Sequence, residues 1–145
     1  MDAAPVQPPH VIAGFSVPRT MFQVLAALVP VLAVQIHLFG LRPLLLVAVA
    51  AIVGLACEAL ALHLRRRSVQ PCLRDGSVLV TAALIALAVP PTLPPWQLAL
   101  GVAVAVLLAK HAYGGLGQNP FNPAMVGYAV LLVSFPLEMT RWPAP

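Results

Sequence analysis

Apolar residues come in blocks along this chain, and the length of each block limits what it can span. Met21 to Leu41 and Leu44 to Leu64 are nearly uninterrupted, and each meets the roughly 20 residues needed to cross about 30 Å of hydrocarbon. The pattern predicts two full transmembrane helices with Arg42-Pro43 as the turn between them. Pro30 falls inside the first, where neighbouring helices or water take up the freed carbonyl. Three later runs are shorter: Gly76 to Val89, Trp96 to Lys110 and Pro123 to Phe135. At 1.5 Å per residue each reaches only about 20 Å. They read either as discontinuous helices, whose irregular ends must be sheltered by protein or line a cavity, or as ordinary spans lengthened by a turn at each end.

The largest polar interruption is Tyr113 to Ala124, YGGLGQNPFNPA. Asn122 is a good N-cap and Pro123 a good first helical residue, so a helix is expected to start there with its free N–H groups facing the turn. Asn119-Pro120 repeats the device. Gly114, Gly115 and Gly117 permit positive φ and close backbone approach, and Lys110 and His111 lie beside them. Such a helix end attracts anions or a carbonyl-rich ring; the alternative is a plain connector packed on a neighbouring subunit. No phosphate-loop pattern is present. Asn122-Pro123-Ala124 resembles the water-channel triplet, but a water channel needs two of them and a selectivity arginine.

Composition supports a lipid environment. Of 145 residues 61% are hydrophobic and only 8% charged, against roughly 25% charged in soluble domains. The formal net charge of +4 is too dispersed for a nucleic-acid surface. Cys57 and Cys72 form neither a CxxC pair nor a Cys/His cluster, and no metal site is expected. The first twenty residues lack a basic n-region and read as a tail rather than a cleaved signal. If all five segments cross, Arg19, Arg65, Arg66, Arg67, Arg74 and Lys110 lie on one side and Arg42 and Arg141 on the other. The positive-inside rule then puts the N-terminus in the cytoplasm, with Trp96 and Trp142 at the outer interface. Five segments without an internal repeat look like one half of a two-repeat membrane fold.

Other polar points stand out along the chain. Asp75-Gly76-Ser77 opens the third segment, with Ser77 and Thr81 on one face; it is either a plain N-cap or a second cavity-facing helix end. Glu58 is the only acid within a long span. It is either a functional carboxylate, as an intramembrane charge is by default, or a side chain reaching toward Arg65 or Arg66. His37 and His63 sit near span ends as interfacial residues, and nothing local explains His10. No catalytic set can be assembled at the required spacing.

The stretch Lys110 to Pro136, KHAYGGLGQNPFNPAMVGYAVLLVSFP, resembles the D subunit of Rnf-type ion-translocating electron-transport complexes, a family related to the B subunit of the sodium-pumping NADH:quinone reductase. The tail PPH ending at His10, MFQVLAALVP from Met21 and DGSVLVTAALIALAVPPTLPPW from Asp75 extend the likeness over nearly the whole chain. The resemblance implies about ten helices in two related halves, similar in outline to urea transporters. It also implies an FMN joined to a threonine in a Ser-Gly-Ala-Thr-like motif, a riboflavin, and electron transfer coupled to Na+ or H+ movement. Thr20, Thr81, Thr92 and Thr140 all lie outside such a motif, so no covalent FMN is assigned here. The expected likeness is to the first half, leaving a truncated or split subunit that needs its other half, or a half-size relative pairing with a second copy.

The expected fold class is therefore all-α: a polytopic membrane protein with about five transmembrane segments, some broken or short, forming half of a two-repeat urea-transporter-like fold. Residues 1–20 would be a cytoplasmic tail, 21–136 the membrane domain and 137–145 a short extracytoplasmic tail. The expected function is that of a membrane subunit of a flavin-containing electron-transport complex in the bacterial inner membrane, with no activity of its own. Lys110, Gly114, Gly115, Gly117, Asn119 and Asn122 are the expected cofactor-binding residues. Partners would be other membrane subunits, the second half or another copy, and lipid, but not nucleic acid. The rival readings are half of a channel or facilitator and a purely structural assembly subunit.

Overall fold

The computed structural model of the chain describes residues 16–66, 74–112 and 120–144. Among them run α1 (Val17–Phe39), α2 (Arg42–Leu64), α3 (Ser77–Ala88), α4 (Pro95–Val104), α5 (Pro123–Ser134) and α6 (Pro136–Thr140). Helix α4 continues without a break into a π-helical turn, Ala105–His111. The described residues contain no strand.

Helices α1 and α2 have 23 residues each, about 34 Å at the α-helical rise, and both are apolar enough to cross a membrane. The expected turn is displaced: the chain reverses at Gly40-Leu41, and Arg42-Pro43 opens α2. The reason lies in proline's chemistry, since a missing N–H and a fixed φ suit the first helical turn better than a loop. Helix α1 passes through Pro30 unbroken and begins at Val17. The three shorter helices match the three shorter apolar runs.

Helices α2 to α5 enclose the core, built on Leu46, Val78, Ile85, Leu98, Val102 and Leu131. Helix α1 has no fully buried residue; it lies against α3, where the Gln35 amide Nε2 donates to the Leu87 carbonyl at 2.9 Å. At one end of the bundle Arg42 Nε donates to the Pro91 carbonyl at 3.3 Å and Thr92 Oγ1 to the Arg141 carbonyl at 3.1 Å. The Trp96 ring meets Phe135 edge-on with centroids 5.4 Å apart at the same end. At the other end Arg19, Arg65, Arg66 and Arg74 are all exposed.

Gly76 leads into α3 in the left-handed region, at φ 75. A Cβ there would meet Met21 Cβ at 3.4 Å, ordinary contact, so substitution is opposed by backbone conformation rather than by space. Gly76→Ala should cost about 1–2 kcal/mol, read as a lowered unfolding midpoint of the complete subunit in detergent. An unchanged midpoint would mean the turn has another conformation.

Candidate functional site

Helix α2 comes close to its neighbours at Gly54, where a Cβ would lie 3.2 Å from Val78 Cγ2 of α3. One helical turn later Glu58 faces the same interior and is 1% exposed. It stands six residues before the end of α2 at Leu64, about 9 Å along the axis, too deep for free hydration.

Helix α3 has only 12 residues, and it starts at that depth. Its first N–H groups need partners, and Asp75 supplies one. Asp75 Oδ1 accepts from the Ser77 backbone N–H at 2.7 Å and from Ser77 Oγ at 2.6 Å. Thr81 Oγ1 donates to the Ser77 carbonyl at 3.1 Å, on the same face. The Asp75-Gly76-Ser77 cap expected from sequence is thus present, and its serine hydroxyl turns inward.

The third component comes from the end of α4. In an α-helix two consecutive residues diverge by about 100°. A π-helical turn, closed by i→i+5 bonds, holds more residues and narrows that angle, and such turns occur frequently at functional sites. Lys110 and His111, consecutive in sequence, are both buried, at 2% and 6% exposure. Lys110 Nζ donates to both Glu58 oxygens at 2.8 Å and to Ser77 Oγ at 2.8 Å, which uses all three ammonium donors. His111 Nε2 lies 3.4 Å from Glu58 Oε2, but the contact lacks hydrogen-bond geometry and the atom has no hydrogen-bond partner.

The result is a polar cluster across one end of an apolar bundle: hydrogen bonds join Glu58, Lys110, Ser77 and Asp75, and His111 stands beside Glu58. A buried ion pair is sustained only when its remaining donors and acceptors are satisfied. Here both Glu58 oxygens, the three Lys110 donors and the Ser77 hydroxyl have partners, and His111 Nε2 has none.

Several expectations change accordingly. Glu58 does not reach toward Arg65 or Arg66; both arginines are exposed, and the carboxylate instead holds Lys110. A buried lysine is not a loop base either, so Lys110 no longer counts toward the orientation, while the exposed arginines still do. Asn122 caps α5 as expected, its Oδ1 accepting from the Ala124 N–H at 3.0 Å. Gly114, Gly115, Gly117 and Asn119 lie outside the described residues. Of the expected site residues, the structure brings Lys110 against Glu58 and Ser77 and leaves Asn122 elsewhere, on the surface of α5. His111 as a buried neighbour of Glu58 does not follow from the sequence pattern. The available signal is that Glu58 is the only acid in a long span and Lys110 the only lysine of the chain, both within apolar runs.

Asn122 borders a second feature, a cleft of about 320 Å³ between α3 and α5 with Leu84, Ile85, Met125 and Tyr128 on its walls.

The NQR2, RnfD, RnfE family profile matches residues 5–145. The D subunit of the ion-translocating oxidoreductase complex of Pseudomonas aeruginosa (strain LESB58) is 53% identical over 137 residues, covering 94% of this chain and 40% of the relative. The protein of the same name from Tolumonas auensis is 51% identical over 137 residues, with 94% and 39% covered. That from Shigella flexneri is 50% identical over 127 residues, with 88% and 36% covered. The chain thus spans about two fifths of the length of the curated relatives it matches. With nearly its whole length inside the family profile, this chain belongs to the NQR2, RnfD, RnfE family.

Proposed function

We propose that this chain forms part of a membrane subunit of a flavin-containing electron-transport complex that couples electron transfer to translocation of Na+ or H+. The observation that carries the reading is the buried Glu58–Lys110–His111 cluster. Charge inside a bilayer is costly and marks ion pathways and proton relays, and the relatives carry the name of an ion-translocating oxidoreductase component. The exposed arginines at one end and the tryptophans at the other support five crossing segments with a cytoplasmic N-terminus in the bacterial inner membrane. The short helices beginning at depth favour half of a two-repeat, urea-transporter-like fold, completed by a second half or another copy.

The cleft beside Asn122 fits a flavin by its chemistry: apolar walls with a few polar groups, at the lower end of the volume of small-molecule sites. Met125 and Tyr128 would pack on the ring and Asn122 would hold its polar edge. When bound, the flavin supplies the electron-transfer chemistry, and the protein supplies position and a dry site. Lys110 is committed to Glu58 and Ser77, so the charge expected of it toward a flavin is spent within the cluster.

The test uses the purified complete complex, monitored by flavin absorbance and electron transfer. Asn122→Ala also removes the α5 cap, worth about 1 kcal/mol, whereas Asn122→Ser keeps it. Both variants should assemble and lose electron transfer. Solute flux through proteoliposomes with no bound flavin would instead favour a channel.

A further inference from the structure

We propose that the chain of groups from His111 to Asp75 is a proton relay, so that the ion passing this cluster is H+ rather than Na+. The relay rests on the ion-translocating reading above and specifies its cargo. Two observations point to it. His111 Nε2 is a buried polar atom without a hydrogen-bond partner, 3.4 Å from Glu58 Oε2. From that carboxylate an unbroken series of contacts of 2.8, 2.8 and 2.6 Å leads through Lys110 Nζ and Ser77 Oγ to Asp75 Oδ1, and Asp75 is half-buried rather than sealed.

Sodium fits this cluster poorly. A hard cation needs several oxygen ligands free at once, yet both Glu58 oxygens already accept from the Lys110 ammonium. Na+ would have to displace a group of its own charge. A proton needs no vacancy. The charged and titratable groups around the path are Glu58 from α2, Asp75 before α3, and Lys110 and His111 from the π-helical turn. Arg19, Arg65, Arg66 and Arg74 of the same end are exposed, and α5 carries no charge on its helix.

The transfer balances. A proton on His111 Nε2 passes to Glu58 Oε2. Glu58 hands that proton on from Oε2, which Lys110 Nζ also contacts at 2.8 Å, as Lys110 gives one of its own to Ser77 Oγ. The serine hydroxyl proton moves to Asp75 Oδ1 and is released to water. One proton enters, one leaves, every group regains its charge, and rotation of the Ser77 hydroxyl resets the path.

The test reconstitutes the complete complex in proteoliposomes and follows redox-driven pH change and radioactive sodium uptake together. In sodium-free medium the pH change should persist. Ser77→Ala should reduce it on the order of tenfold or more, while Ser77→Thr, which keeps the hydroxyl, should retain most of it. If Ser77→Ala does not assemble, the unaltered complex in D2O decides: ion movement slowed by deuterium supports the relay, and an unaffected rate overturns it. An assembled Ser77→Ala complex acidifying at the unaltered rate also overturns it. Sodium uptake with no pH change sinks the relay but leaves the proposed function standing. Electron transfer that moves neither ion sinks the proposed function itself.

Discussion

Glu58→Leu in the complete subunit should lower its stability by about 3–5 kcal/mol, because the Lys110 ammonium is left buried without its counter-charge. Lys110→Met should cost a similar amount by stranding the carboxylate. The double variant Glu58→Leu/Lys110→Met should recover most of the loss, since apolar side chains of similar volume can replace a buried pair at little cost. Thermal unfolding in detergent reads all three, and the comparison isolates the pair from its packing. Single variants costing less than about 1 kcal/mol would mean the two groups are solvated like a surface pair. On the proposed relay, recovery of stability should not bring back proton movement, because the double variant has no group that can carry charge between His111 and Ser77.

Gly127→Ala is expected to have the next largest effect. A Cβ on Gly127 would lie 2.7 Å from the Gly101 carbonyl oxygen, 2.9 Å from Ile85 Cδ1 and 3.0 Å from Ala105 Cβ. The first of these is backbone and the last is fixed to it, so α4 and α5 must separate to admit the methyl. Overpacking of this kind costs about 1–3 kcal/mol. Separation at this crossing would also shift the π-helical turn that begins at Ala105 and presents Lys110. The expected result is therefore a lower unfolding midpoint and, on the proposed function, weaker coupling of electron transfer to ion movement. Gly101→Ala serves as the comparison, since the three atoms nearest its Cβ would all belong to the Leu131 side chain, at 2.6 to 3.0 Å, and Leu131→Ala should relieve that clash at the expense of a cavity. If Gly127→Ala unfolds at the unaltered midpoint, the helices do not approach as closely as described.

Block lengths carry much of the architecture. The two long helices and the three short ones follow directly from how many apolar residues stand between polar interruptions, because hydrocarbon thickness sets a minimum length for a lone span. Local capping is equally readable: Asn122-Pro123 and Asp75-Gly76-Ser77 both mark helix starts, since a side-chain oxygen must meet N–H groups that the helix leaves unpaired. The reversal at Gly40-Leu41 falls two residues before the turn that Arg42-Pro43 suggests, as Arg-Pro satisfies a turn and a first helical turn about equally well.

Residue order and type are enough for a membrane-embedded, all-helical chain with capped short helices, since hydrophobicity, length and caps are local properties. The partners of the buried charges are not local. Glu58 has arginines seven and eight residues away in sequence and a lysine 52 residues away, and it takes the lysine because helix packing at Gly54 and the π-helical turn bring that ammonium to it while the arginines stay exposed at the surface.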